Sequence, residues 1–218
     1  MLRGRIGLIS ALLAVALYGA GQVISGLPPA PDAADAEVVS HFTEDRAGVL
    51  VGAVLGFVAI AFLLVFLGHL RSAMVDAEQG RTEAATAMVV GWVLLFATIG
   101  IGGLPLLAIT WRGAAEASPE LLTFAFDLNN LALYAGSAAF AATSIAVPTV
   151  VAWRTGFLPR WLVALGALEV AVNVIELIGI TTRTGPNALG YAAGLGPPIW
   201  IAWVLAAAIV LDRRRVMA

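Results

Sequence analysis

The sequence contains no cysteine and no lysine, and only 12% of its 218 residues are charged. Without cysteine there is no disulfide, no thiolate nucleophile and no cysteine-based metal or iron–sulfur site. Without lysine no retinal-type Schiff base can form on the chain. Histidine is nearly absent as well: only His41 and His69 occur, in different parts of the chain. They cannot share a metal, and they offer no paired ligands for haem. The patterns H-E-x-x-H, G-x-S-x-G and G-x-x-x-x-G-K-[ST] are missing, which removes the metalloprotease, serine-hydrolase and phosphate-loop signatures. Ser137 lies in a Gly-Ser pair but has no histidine within the apolar stretches to activate it, His69 falling at the very end of one. No basic-aromatic groove points to nucleic acid.

Apolar side chains fill most of what remains. The chain is 61% hydrophobic with a mean hydropathy of +0.95, whereas soluble domains are about 45–50% apolar and about 25% charged. This composition is that of a membrane protein, and the length fits a single domain over residues 1–218. A hydrocarbon layer of roughly 30 Å takes about 20 helical residues. Six apolar stretches qualify, near 6–27, 48–69, 85–109, 130–152, 161–181 and 195–211. The first exceeds the usual signal-peptide apolar region of about 7–15 residues, and its nearest cleavage-like site, Ala34 to Ala36, lies well downstream. It reads as a retained helix. The expected fold is therefore all-α, a polytopic six-helix transmembrane bundle.

Arginine sets the expected orientation. Six crossings put Arg3, Arg5, Arg71, Arg81, Arg154, Arg160, Arg213, Arg214 and Arg215 on one side, and Arg46, Arg112 and Arg183 on the other. The excess belongs on the cytoplasmic side, which makes both termini cytoplasmic (N-in, C-in). Trp111, Trp153, Trp161 and Trp200 fall near span ends, where amphipathic rings prefer to sit. The acidic segment 28–47 then faces outward. Its start, PPAPDAADAE, reads as irregular, and VVSHFTEDRAG as a short helix leading into the second span; its expected role is a solvated connector.

Polar residues inside the spans are the candidate site. Glu169, Asn173 and Glu176 are spaced four and three, so they share one helix face, which Gly166 and Ile180 continue. A second row runs through Thr123, Asp127, Asn130, Tyr134, Ser137, Ala141, Ser144 and Pro148. Spans four and five are joined by a short turn, so the acids are expected to face the Asn130, Tyr134, Ser137 and Ser144 row. An acid against lipid at mid-bilayer costs roughly 2.5–3.5 kcal/mol. Ionisable groups at that depth mark functional sites, while the structural alternative is hydrogen-bonded helix glue worth about 0.6–2 kcal/mol per contact. Glu169, Asn173 and Glu176 supply too few oxygens for a typical oxygen-only metal site, so neither metal nor cofactor is expected.

Gly48, Gly52 and Gly56 form a small-residue ridge in span two, suited to a close helix neighbour within the chain, with homo-oligomer contact as the alternative. Gly100, Gly102, Gly103 and Pro105 point to a kink or early helix end in span three, and Pro148 to a kink in span four. Pro197 and Pro198 mark a helix start. No internal repeat is visible.

The stretch RTGFLPRWLVALGALE, residues 154–169, resembles a motif of uncharacterised bacterial multipass proteins classed as domains of unknown function. Gly156, Leu158, Pro159, Arg160, Trp161 and Leu162 carry it. The resemblance implies a shared six-span fold with an LPRWL-type inner turn, and no activity or catalytic residue. Three functions stay open on these residues. One is a binding or accessory protein with a polar seam between spans four and five, holding a small hydrophobic or lipid-like ligand. Another is a small transporter or proton-coupled permeability protein using Glu169 and Glu176. An intramembrane enzyme is the least supported, since no nucleophile, base and metal set is present.

Overall fold

The computed structural model describes residues 2–26, 28–30, 33–179 and 195–217, with the side chains of residues 2–4, 134–135, 179 and 215–217 left aside. Among the described residues all regular structure is helical: α1 Leu2–Ser25, α2 Asp35–Glu44, α3 Arg46–Ala77, α4 Glu83–Arg112, α5 Pro119–Leu131, α6 Ser137–Thr155, α7 Arg160–Gly179 and α8 Gly196–Met217. A short 3-10 turn covers Ala114–Glu116, and a π-helical segment, Ala132–Gly136, joins α5 to α6. Five helices (α1, α3, α4, α7 and α8) are long and apolar enough to cross a membrane. Their outer faces carry bare side chains such as Val54, Phe57, Leu64, Val93 and Leu104. So wide an apolar surface suits contact with a membrane.

Several expected boundaries are corrected. The stretch expected as a fourth span, near 130–152, is no single helix and is not among these five: α5, the π segment and α6 make one helical run from 119 to 155 with a change of pitch in its middle. α3 reaches Ala77, eight residues beyond the expected end of its span, and at about 1.5 Å per residue it outruns a roughly 30 Å layer. α4 continues through Pro105 to Arg112, so no early end occurs there. Pro148 lies inside α6, within a helix as expected. The expected ends at Leu27 and Thr181 lie outside the described residues.

Close approaches fix how the helices pair. α1 lies antiparallel on α3 with Gly7 against His69 at one end and Gly21 against Gly52 at the other. A Cβ on Gly52 would sit 2.8 Å from the Gly21 carbonyl oxygen, and one on Gly48 would strike the Ile24 carbonyl. Lipid is as apolar as leucine, so helices in it associate through such packing rather than through the hydrophobic effect. Gly56 faces open space. The ridge thus serves an intramolecular neighbour through two of its three glycines. α4 packs on the α5–α6 run in the same way, Gly91 meeting Ser144, Gly102 meeting Ala132 and Gly136 meeting Thr98.

The main core lies towards the end of the bundle that holds the α6–α7 turn. Phe66, Leu70, Met74, Met88, Trp92, Ile145, Leu162 and Trp203 are fully buried there. A second, smaller core at the opposite end corrects the reading of segment 28–47 as a mere solvated connector. Val38 and Phe42 of α2 pack with Leu106, Ala114, Leu122, Ala125 and Phe126, with the Phe42 and Phe126 rings 6.0 Å apart. Arg46 ties this end together: its Nε donates to the Thr110 carbonyl at 2.8 Å and its Nη2 to the Trp111 carbonyl. A guanidinium on the last carbonyls of a helix satisfies orphan acceptors and complements the dipole. α5 starts cleanly, with Ser118 Oγ accepting from the Leu121 N–H at 3.3 Å and Pro119 at the first position. Backbone hydrogen bonding, then Ser118, hold the Glu120 carboxyl below the usual carboxylate range.

Candidate functional site

α7 begins immediately after Pro159, whose carbonyl accepts from the N–H groups of Leu162 and Val163 at 2.9 and 3.2 Å. Helical spacing then aligns Gly166, Glu169, Asn173 and Glu176 on one face. That face is buried: Glu169 is 2%, Asn173 4% and Glu176 9% exposed. Asn173 Nδ2 donates to the Glu169 carbonyl oxygen at 2.8 Å and to Glu169 Oε1 at 2.9 Å. One amide thus closes both hydrogen bonds inside a single helical turn and fixes the Glu169 side chain along the helix. Glu169 Oε2 and Glu176 Oε1 are buried with no hydrogen-bond partner among the described residues. Buried polar atoms are nearly always paired, so these two oxygens are the chemically open positions of the seam.

The neighbour across the seam is α8, together with Thr149 of α6. A Cβ on Gly196 would lie 2.7 Å from Glu176 Oε1, and one on Gly166 would lie 2.9 Å from Trp203 Nε1 and closer still to Thr149 Oγ1. These contacts pin an antiparallel register at both ends of the stripe. Gly196, Trp200 and Trp203 are themselves spaced four and three, so they share the opposing face of α8. Trp200 therefore stands at the level of Asn173 and Glu169. The Trp200 ring also meets Trp92 of α4, centroids 5.3 Å apart. Trp92, Trp200 and Trp203 Nε1 and Thr149 Oγ1 are buried without hydrogen-bond partners among the described residues. Pro197 and Pro198 explain part of the pattern: the start of α8 beside Glu176 lacks two of the N–H groups a helix N-terminus normally presents.

The expected partners on span four are placed differently. The Ser144 hydroxyl donates to the Ala141 carbonyl of its own helix at 2.8 Å, and its backbone packs on Gly91 of α4. The Ser137 hydroxyl donates to the Leu133 carbonyl, also within the run. Asn130 is half-buried with Nδ2 unpartnered among the described residues. The Tyr134 side chain and Ile180 lie outside the described residues. Sequence reasoning paired the acids with this row because the two helices are joined by a short turn. It passed over Thr149, Gly196 and Trp203, although the four-and-three spacing of Gly196, Trp200 and Trp203 was a readable signal.

Among the described residues no three His, Cys, Asp or Glu side chains converge as a metal site would require. Of the tryptophans expected at span ends, Trp111, Trp153 and Trp161 are 64%, 76% and 56% exposed. Trp200 instead turns inward into the seam. Compared with protein-family models, curated proteins and solved structures, the chain matches none.

Proposed function

We propose that this chain is a six-span, multipass protein of the cytoplasmic membrane of a bacterial cell, with both termini inside. In this reading it is a non-enzymatic binding or accessory protein that works through the polar seam of α7. The observation that carries the reading is the burial of Glu169 and Glu176 with one carboxyl oxygen each left open. Two acids held at such depth are a binding site or a structural lock. The ligand class that suits it is small and lipid-like, with a polar head for the carboxyls and an apolar body for the indoles. The span count is supported by the helical run from 119 to 155, which lies alongside α4 and α7. The orientation is supported by the arginine excess at the end of the bundle that holds the α6–α7 turn. Homo-oligomer contact through α3 is left with Gly56 alone, since α1 occupies Gly48 and Gly52.

Mass spectrometry of the purified protein tests the binding reading. A retained small amphiphile, lost in Glu169→Gln and Glu176→Gln while the fold persists, is the expected result. Equal retention in the variants sinks the reading. The same two open oxygens also suit a proton-coupled permeability protein. That second reading requires the parental protein in liposomes to move protons, reported by an enclosed pH dye, and both Gln variants to slow the flux. Flux no greater than in protein-free liposomes removes it.

A further inference from the structure

Arginine is the only fixed cation in this chain, and four arginines gather where the last three helices meet. Arg154 lies in the last turn of α6, Arg160 opens α7, and Arg213 and Arg214 belong to the last turns of α8. All four are exposed. Arg214 Nη2 donates to the Gly156 carbonyl at 3.2 Å, which draws the end of α8 onto the α6–α7 turn. Gly156 has a φ of +72° and no side chain to cover the turn, with open space where a Cβ would be.

Among the described residues none of these four arginines forms an ion pair with an acid. The ion pair His41–Asp45 lies at the other end of the molecule. Asp212, the nearest acid in sequence, lines a small cleft with Gly7 and His69 on the α1–α3 side. Trp153 and Trp161, each next to one of these arginines, stand 76% and 56% exposed. Exposed indoles of this kind belong at the level of lipid headgroups. The guanidinium fork matches the oxygens of a phosphate two at a time, which an ammonium point charge does not.

We propose that the α6–α7 turn, with Arg154, Arg160 and Arg214 around it, is a docking surface for the phosphate headgroup of an anionic phospholipid. The proposal rests on the six-span reading, which puts this turn at the cytoplasmic leaflet. Arg214 serves two partners there: it bonds the Gly156 carbonyl and presents its remaining N–H groups to the headgroup. Trp153 and Trp161 flank the phosphate and set the depth of the turn.

The test places the full chain in nanodiscs of phosphatidylcholine mixed with phosphatidylglycerol, and counts by native mass spectrometry the lipids that stay bound after gentle extraction. Phosphatidylglycerol is expected to be enriched about tenfold over its bulk share, and R154Q/R160Q/R214Q to abolish the enrichment. The charge-preserving R154K/R160K/R214K is expected to lose most of it, because the fork geometry goes. R154Q and R160Q as single variants each lower it severalfold, which covers a triple variant that fails to insert. R71Q/R81Q, which removes two other arginines assigned to the cytoplasmic side, is expected to leave it unchanged. No enrichment in the parental chain, equal loss in R71Q/R81Q, or full enrichment in the lysine variant each overturns the docking surface. Labelling of Thr155→Cys separates the two claims. Reaction from outside overturns the orientation, and reaction from inside without enrichment overturns the docking surface alone.

Discussion

Gly166 decides how closely α6, α7 and α8 can meet, and it lies one turn from Glu169. An added methyl there would run into Thr149 Oγ1 and stand 2.9 Å from Trp203 Nε1. Both atoms belong to buried side chains, so the neighbours have little room to yield. Overpacking of this kind costs typically about 1–3 kcal/mol. Gly166→Ala should lower the thermal midpoint in detergent, whereas Gly56→Ala, where no atom lies within 4 Å, should leave it near the parental value. A Gly166→Ala protein as stable as the parent would mean that the three helices are not held this tightly. At Glu169 the Asn173 amide bonds both the backbone and the carboxyl. Gln keeps an acceptor in that position and Leu does not.

At the scale of elements, α2 is the piece whose role changes most between sequence and structure. Its sequence, DAEVVSHFTE, is acidic and short, but Val38 and Phe42 point the same way four residues apart and are both buried. α2 lies over α5, where Thr123 Oγ1 donates to Asp35 Oδ1 at 3.2 Å, and Arg46 follows it to hold the end of α4. Phe42→Ala empties the centre of the smaller core, and aromatic truncations in cores cost about 3–5 kcal/mol. The expected outcome is fast hydrogen exchange across 35–44 with little change in α7. Unchanged exchange there would show that α2 is not held by this contact. The π segment was not legible in advance. Its sequence, ALYAG, carries no helix breaker except a glycine, and the change of pitch arises where Gly102 and Thr98 of α4 press on Ala132 and Gly136.

For the whole molecule, the absence of cysteine makes the orientation directly measurable, since any introduced thiol is the only one. Ser40→Cys on α2 and Thr155→Cys at the α6–α7 turn are both exposed positions at opposite ends of the bundle. In intact cells a membrane-impermeant reagent should label the first and spare the second, and permeabilisation should expose both. Labelling of Thr155→Cys alone in intact cells would reverse the orientation. The arginines make that outcome a strong test, because their excess gathers on one side of the expected topology.

Composition and period were enough to determine that the chain is helical, that its outer faces are apolar, and that Glu169, Asn173 and Glu176 share one face of one helix. Each follows from local chemistry: hydropathy over about 20 residues, and a repeat of 3.6. Tertiary structure alone decided what that face meets. Helical periodicity orients a residue about its own axis but not towards a particular neighbour. In an apolar solvent no hydrophobic ranking of faces supplies the missing angle. The angle is set by where backbones can come close, at Gly91 and Gly102 for α4 on the α5–α6 run, and at Gly166 and Gly196 for α7 on α8. Hence the serine row turned to α4 and its own carbonyls, while on the glutamate face of α7 Gly166 met Trp203 and Thr149 and Glu176 met the start of α8.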